Sequence, residues 1–102
     1  MFQLQLHVHP QTEQRLKAIL AHAQDEEAFV QSIIAYQVSE LHKALLNIRL
    51  DLQDLEEKHH QASAAFYQQY VQGTAGDSEE IMLWAGLYEL LLENESRLRE
   101  LA

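Results

Sequence analysis

The sequence predicts a mainly α protein with one short β-strand at its start. Only three glycines and one proline interrupt its 102 residues, which disfavours a turn-rich β fold. A row of apolar residues at heptad spacing runs through the middle of the chain, the pattern of helices packed along a seam. Residues 2–8 instead alternate apolar and polar at every step, the period of a strand with one covered face.

In that first segment Phe2, Leu4, Leu6 and Val8 fall on one side, and Gln3, Gln5 and His7 on the other. No later segment reads as a partner strand. An unpaired strand leaves its backbone donors and acceptors open, so the expected partner is the same strand of a second copy, making a homodimer on an intermolecular β-ribbon. Such a ribbon would present Gln3, Gln5 and His7 twice over, and glutamine can bond bidentately to adenine in a major groove.

Pro10 then suits the first position of a helix, where its missing N–H costs nothing. Leu16, Ile19 and Leu20 give that helix a short apolar face, with Arg15 and Lys17 beside it as the nearest phosphate contacts. Asp25 is a good N-cap for a second helix, and Glu26 and Glu27 suit the positive end of its dipole. On this helix Ile34, Val38, Leu41, Leu45, Ile48, Leu52 and Leu55 follow one another at spacings of 4, 3, 4, 3, 4 and 3. Neither Gly nor Pro occurs between Asp25 and Gln72, so the helix is expected to run about 35 residues, or about 50 Å. Its seam must be covered by helices of the same chain, by a second chain, or by both. Ile34, Val38, Leu41, Leu45 and Ile48 join Phe2, Leu4, Leu6 and Val8 as the expected dimer interface, with pairing of dimers into tetramers left open.

A break near His59-His60 is expected to lead into a third helix bearing Phe66, Tyr67, Tyr70 and Val71. Gly73-Thr74-Ala75-Gly76 reads as a loop. Asp77 followed by Glu80 resembles a capping box, and a last helix is expected from Ser78 to about Leu101. On it Trp84, Leu87, Leu91, Leu98 and Leu101 hold a 3,4 pattern, with Asn94 between Leu91 and Leu98.

The net charge of -9 is unevenly spread. Residues 1–24 carry Arg15 and Lys17 against Glu13, a balance of +1, whereas residues 25–57 stand at -6 and residues 58–102 at -4. An acidic body disfavours nonspecific nucleic-acid binding and suits a basic partner. Any DNA contact must therefore use the first 24 residues.

With no cysteine, a disulfide scaffold and a thiolate metal site are excluded. No apolar run approaches the ~18 residues of a membrane span. The opening Met1–Leu6 lacks the basic region and apolar core of a signal peptide. The expectation is a cytoplasmic protein with no membrane segment. Its serines lack glycine-rich elbows, and its carboxylates sit at helical spacing on solvated faces, so no catalytic residue is assigned and the chain reads as a non-enzyme. His7 with His9, and His59 with His60, fall short of the three or four convergent ligands a metal needs. No metal or other cofactor is expected.

Two resemblances follow from these elements. Leu6-His7-Val8-His9-Pro10, Arg15-Leu16 and Glu27-Ala28-Phe29-Val30-Gln31-Ser32-Ile33-Ile34, in the order strand, short helix, turn, longer helix, resemble a ribbon-helix-helix domain. This implies a dimerisation domain over 1–50. The chain departs from that family in having Gln3, Gln5 and His7 where basic strand residues are usual, and Ala23-Gln24-Asp25 in place of a glycine-rich turn. Leu55-Glu56-Glu57-Lys58, Phe66-Tyr67, Tyr70, Gly73, Gly76-Asp77 and Trp84-Ala85-Gly86-Leu87-Tyr88 resemble the C-terminal segment of small prokaryotic antitoxins, with His59-His60 where a Tyr-Gly turn is usual. The resemblances imply an antitoxin-like regulator that binds its own operator DNA through the ribbon. Its acidic helical segment, 51–102, would hold a basic toxin. Phe66, Tyr67, Tyr70, Trp84 and Tyr88 are the anchor types for that partner, though a small helical core needs such residues equally. The competing reading is a structural helical oligomer with no role on DNA.

Overall fold

The computed structural model describes residues 3–23 and 25–102 of the chain. Among the described residues the regular structure is four helices: α1 (Pro10–Ala21), α2 (Glu26–His59), α3 (Ser63–Val71) and α4 (Glu79–Leu101). The chain divides into two compact units within α2, one ending at Ala35 and the other beginning at Tyr36.

The expected N-terminal strand is not formed. No strand occurs among the described residues, and residues 3–9 are neither helix nor strand. Among the residues assigned to that strand, Phe2 lies outside the described set. The alternation of Leu4, Leu6 and Val8 has another use. All three line one shallow groove together with Leu16 and Leu20 of α1. A period of two belongs to any extended chain, whose successive side chains point to opposite sides whether or not it joins a sheet, and here both sides stay exposed. The fold is therefore all-α, and Gln3, Gln5 and His7 are exposed on an irregular segment rather than presented by a β-ribbon.

Helix α1 starts with Pro10 after an extended His9, whose side chain makes no capping bond. It buries none of its residues. Asp25 does cap α2, its Oδ1 accepting from Ala28 N–H at 2.6 Å.

Helix α2 runs 34 residues, with Glu26 and Glu27 in its first turn and Lys58 in its last, each charge matched to its end of the dipole. It stops where His60 adopts φ 52°, and Gln61 N–H reaches back to Glu56 C=O at 3.2 Å. This is the left-handed helix ending that glycine usually provides. Helix α3 ends in the same way through Gly73 at φ 79°, with Thr74 N–H on Gln69 C=O at 2.9 Å and Gly73 N–H on Tyr70 C=O at 3.0 Å. Helix α4 is capped by Ser78, whose Oγ accepts from Ile81 N–H at 3.2 Å, one residue after the expected Asp77.

In the unit from Tyr36 onward, α2, α3 and α4 enclose a core of Ile48, Leu52, Leu55, Phe66, Trp84 and Ala85. Leu45 is buried as well. The lower half of the heptad seam is thus covered by the chain's own α3 and α4. Salt bridges from Arg49 to Glu95 (3.2 Å) and from Lys58 to Glu80 (2.7 Å) tie α2 to α4 in antiparallel sense. In that unit the C-terminal third of the chain closes over most of the seam.

Candidate functional site

The unit ending at Ala35 is the less self-sufficient of the two. Among its described residues none is buried, and Leu4, Leu6, Val8, Ile19, Leu20, Val30, Ile33 and Ile34 are all exposed. Eight large apolar side chains in so short a segment exceed the scattered exposure normal for a monomer surface. An open groove lined by Ala18, Ile19, His22, Ala28, Phe29 and Ser32 lies between α1 and the start of α2. Of the residues assigned to dimerisation, Ile34 is exposed and Val38 and Leu41 are half-buried. Leu45 and Ile48 lie in the core of the other unit.

The residues assigned to DNA lie on the irregular N-terminal segment and on α1. Gln3, Gln5, His7 and Arg15 are exposed. Lys17 pairs with Glu13 at 3.3 Å on the surface of α1, a contact of small energetic weight. Arg15 and Lys17 are two residues apart and so lie on different sides of the helix. Asp25, Glu26 and Glu27 follow close by in the chain and oppose any phosphate there.

In the second unit the aromatic residues separate into core and edge. Phe66 and Trp84 are each 1% exposed, so they hold the bundle together and cannot serve as anchors for a partner. Their rings stack at 3.8 Å with an interplanar angle of 3°, and His59 stacks on Trp84 at 5.0 Å. The Trp84 indole N–H donates to Ser63 Oγ at 2.9 Å, and Ser63 N–H donates to Glu56 Oε2 at 2.8 Å. One polar chain thus runs from α2 through the start of α3 into the core face of α4, satisfying a buried donor that would otherwise be costly. Tyr67, Tyr70 and Tyr88 are half-buried at the edge, with Tyr67 5.0 Å from Tyr88 and 6.0 Å from Tyr70. Tyr67 donates to Glu89 at 3.1 Å. Partial desolvation, then that bond to a carboxylate, raises the Tyr67 phenol above its ordinary value.

Glu80 stands where the end of α2 meets the start of α4. It accepts from Lys58 at 2.7 Å and lies 3.5 Å from His59 Nε2, which is buried and has no aligned hydrogen-bond partner. The Lys58 hydrogen bond outweighs desolvation and holds the Glu80 carboxyl below its ordinary range. Among the described residues no three His, Asp or Glu side chains converge as a metal site, and no helix is long and apolar enough to cross a membrane.

No protein family, curated protein or solved structure matches the chain. Its functional reading therefore rests on its own surfaces. One of these went unrecognised in the sequence. Leu83, Gly86 and Leu90 are all exposed on α4, on the side away from Trp84 and Ala85. The available signal was a glycine inside a helix with leucines three residues before and four after it.

Proposed function

We propose that the chain is a non-enzymatic, antitoxin-like regulator. It self-associates through the unit ending at Ala35 and neutralises a basic partner protein through the helical bundle that begins at Tyr36. One observation carries this reading: the first unit exposes eight large apolar side chains and buries no described residue, while the second has a closed core of its own. A unit that buries none of its described residues gains by joining with another copy. The unit to Ala35 carries Arg15 and Lys17 against Glu13, Asp25, Glu26 and Glu27, a balance of -2 against -7 for the rest of the chain, so it sets up less repulsion between copies. The bundle, by contrast, carries most of the acidity, which attracts and orients a basic partner.

The self-association proposed here is packing of α1 and the start of α2, together with the apolar side of residues 3–9, against a second copy. A second reading, a structural helical oligomer with no operator, is favoured by the absence, among the described residues, of the strand that was to present Gln3, Gln5 and His7. Co-expression separates the two. If a basic protein encoded beside this chain arrests growth, the full chain is expected to relieve the arrest and to co-elute with that protein in size-exclusion chromatography. Continued arrest with no complex would overturn the antitoxin-like reading and leave the oligomer.

A further inference from the structure

Gly86 lies inside α4 and is exposed, and a Cβ added there would meet no atom within 4 Å. Its φ is not in the left-handed region, unlike those of Gly73 and Gly76. Neither backbone geometry nor the packing of this chain calls for glycine there, and a glycine inside a helix weakens it relative to alanine. What glycine does provide is room for a close approach from outside.

The surroundings give that notch a context. Leu83 and Leu90 stand at i−3 and i+4 from Gly86, so the three share one row of the helix surface. Both leucines are exposed, as is Met82 beside them. Glu79, Glu89 and Glu93 border the row and are exposed, with Arg97 as the cation farther along it. The result is an apolar strip with a notch at its centre and carboxylates along its rim.

We propose that this face of α4 docks a basic amphipathic helix of a partner protein. A large apolar side chain of that helix seats over Gly86 between Leu83 and Leu90, and its Lys or Arg flanks lie against Glu79, Glu89 and Glu93. The inference rests on the reading that the bundle has a protein partner, and it names the surface that partner uses. Net charge favours a basic occupant over a second copy, since the face carries Glu79, Glu89 and Glu93 against Arg97 alone. In this mode the incoming helix brings apolar anchors at i, i+3 or i+4 and i+7, a spacing that fits the row of Leu83, Gly86 and Leu90.

The test uses the full chain and two fluorescein-labelled synthetic helical peptides. Both carry the same leucine row, one with Lys/Arg flanks and the other with Glu flanks. Fluorescence anisotropy is expected to show binding of the basic peptide only, with affinity falling as salt rises. Gly86→Ala is expected to weaken that binding severalfold and Gly86→Leu at least tenfold, while Gly86→Ala raises the thermal midpoint of the protein. Opposite effects on binding and stability are what a purely structural glycine would not produce.

Failure of the basic peptide to bind, equal binding of both peptides, or binding by the Gly86→Leu variant within twofold of the wild type would each overturn the proposal. Loss of self-association in Gly86→Leu, read by sedimentation velocity, would assign the face to a second copy instead. Peptide binding that depends on Gly86 together with failed relief of growth arrest would overturn the antitoxin-like reading alone.

Discussion

Replacing Ser63 by alanine removes one hydroxyl and leaves the backbone untouched, so the Ser63 N–H bond to Glu56 survives. The hydroxyl is the acceptor for Trp84 Nε1–H at 2.9 Å, between residues 2% and 1% exposed. Without it the indole donor is buried with no partner, which costs about 1–3 kcal/mol. Small domains lose about 4–8 °C of midpoint per kcal/mol, so a drop on the order of 10 °C is expected. Thermal and urea unfolding, followed by far-ultraviolet circular dichroism and by emission from Trp84, the single tryptophan, measure it directly. The mechanism is isolated by a second background. In Trp84→Phe the donor is gone, and adding Ser63→Ala should then cost less than about 0.5 kcal/mol, giving a coupling of roughly 1–2 kcal/mol. An equal loss in both backgrounds, or no loss in the first, would refute the claim that this bond fastens α3 to α4.

Three further outcomes follow from the same structure. His60 holds φ 52°, a conformation that costs a non-glycine residue about 1–2 kcal/mol, so His60→Gly should stabilise the chain by about 0.5–1 kcal/mol after glycine's own entropy cost, read by urea denaturation. Gly86→Ala should stabilise α4 by about 1 kcal/mol, since the added methyl meets nothing within 4 Å, and thermal melting would show it. The Glu80 carboxyl is lowered in the folded state, chiefly by the Lys58 hydrogen bond. Its contribution is therefore present above the unfolded carboxylate range and lost as pH falls through the folded value. Glu80→Gln should melt earlier than the wild type near neutral pH, and the gap should close under acid conditions.

Much of the helical frame was legible because its signals are local. Asp25 at the start of α2 and Gly73 after α3 set boundaries by capping and by left-handed geometry. His60 shows the limit of such signals. It takes a left-handed position that glycine usually fills, and the helix ends there because the backbone geometry, not the residue type, is required. Ser78 rather than Asp77 caps α4, a one-residue difference that leaves Glu80 free to reach Lys58 and His59.

The N-terminal segment was misread for a physical reason. Alternation reports which side each residue faces, and Leu4, Leu6 and Val8 can face a helix as well as a sheet. The heptad seam likewise reports that a helix is covered without naming the cover, and Leu45, Ile48, Leu52 and Leu55 are covered from within. Whether an aromatic residue anchors the core or a partner is not a property of its spacing. For Trp84 the answer depends on Ser63, twenty-one residues away. Gly86 could have been noticed, but its meaning depends on knowing that its face of α4 is open.

The unit ending at Ala35 buries none of its described residues, and its proposed joining with a second copy is what the rest depends on. Sedimentation equilibrium on the full chain, compared with a Leu6→Asp/Ile33→Asp variant, tests it most directly. Both side chains are exposed, so the changes should leave the helical content of the isolated chain intact. The account predicts a dimer or larger assembly for the wild type and a helical monomer for the variant. A wild type that sediments as a monomer across the micromolar range, or a variant that associates as strongly as the wild type, would contradict it.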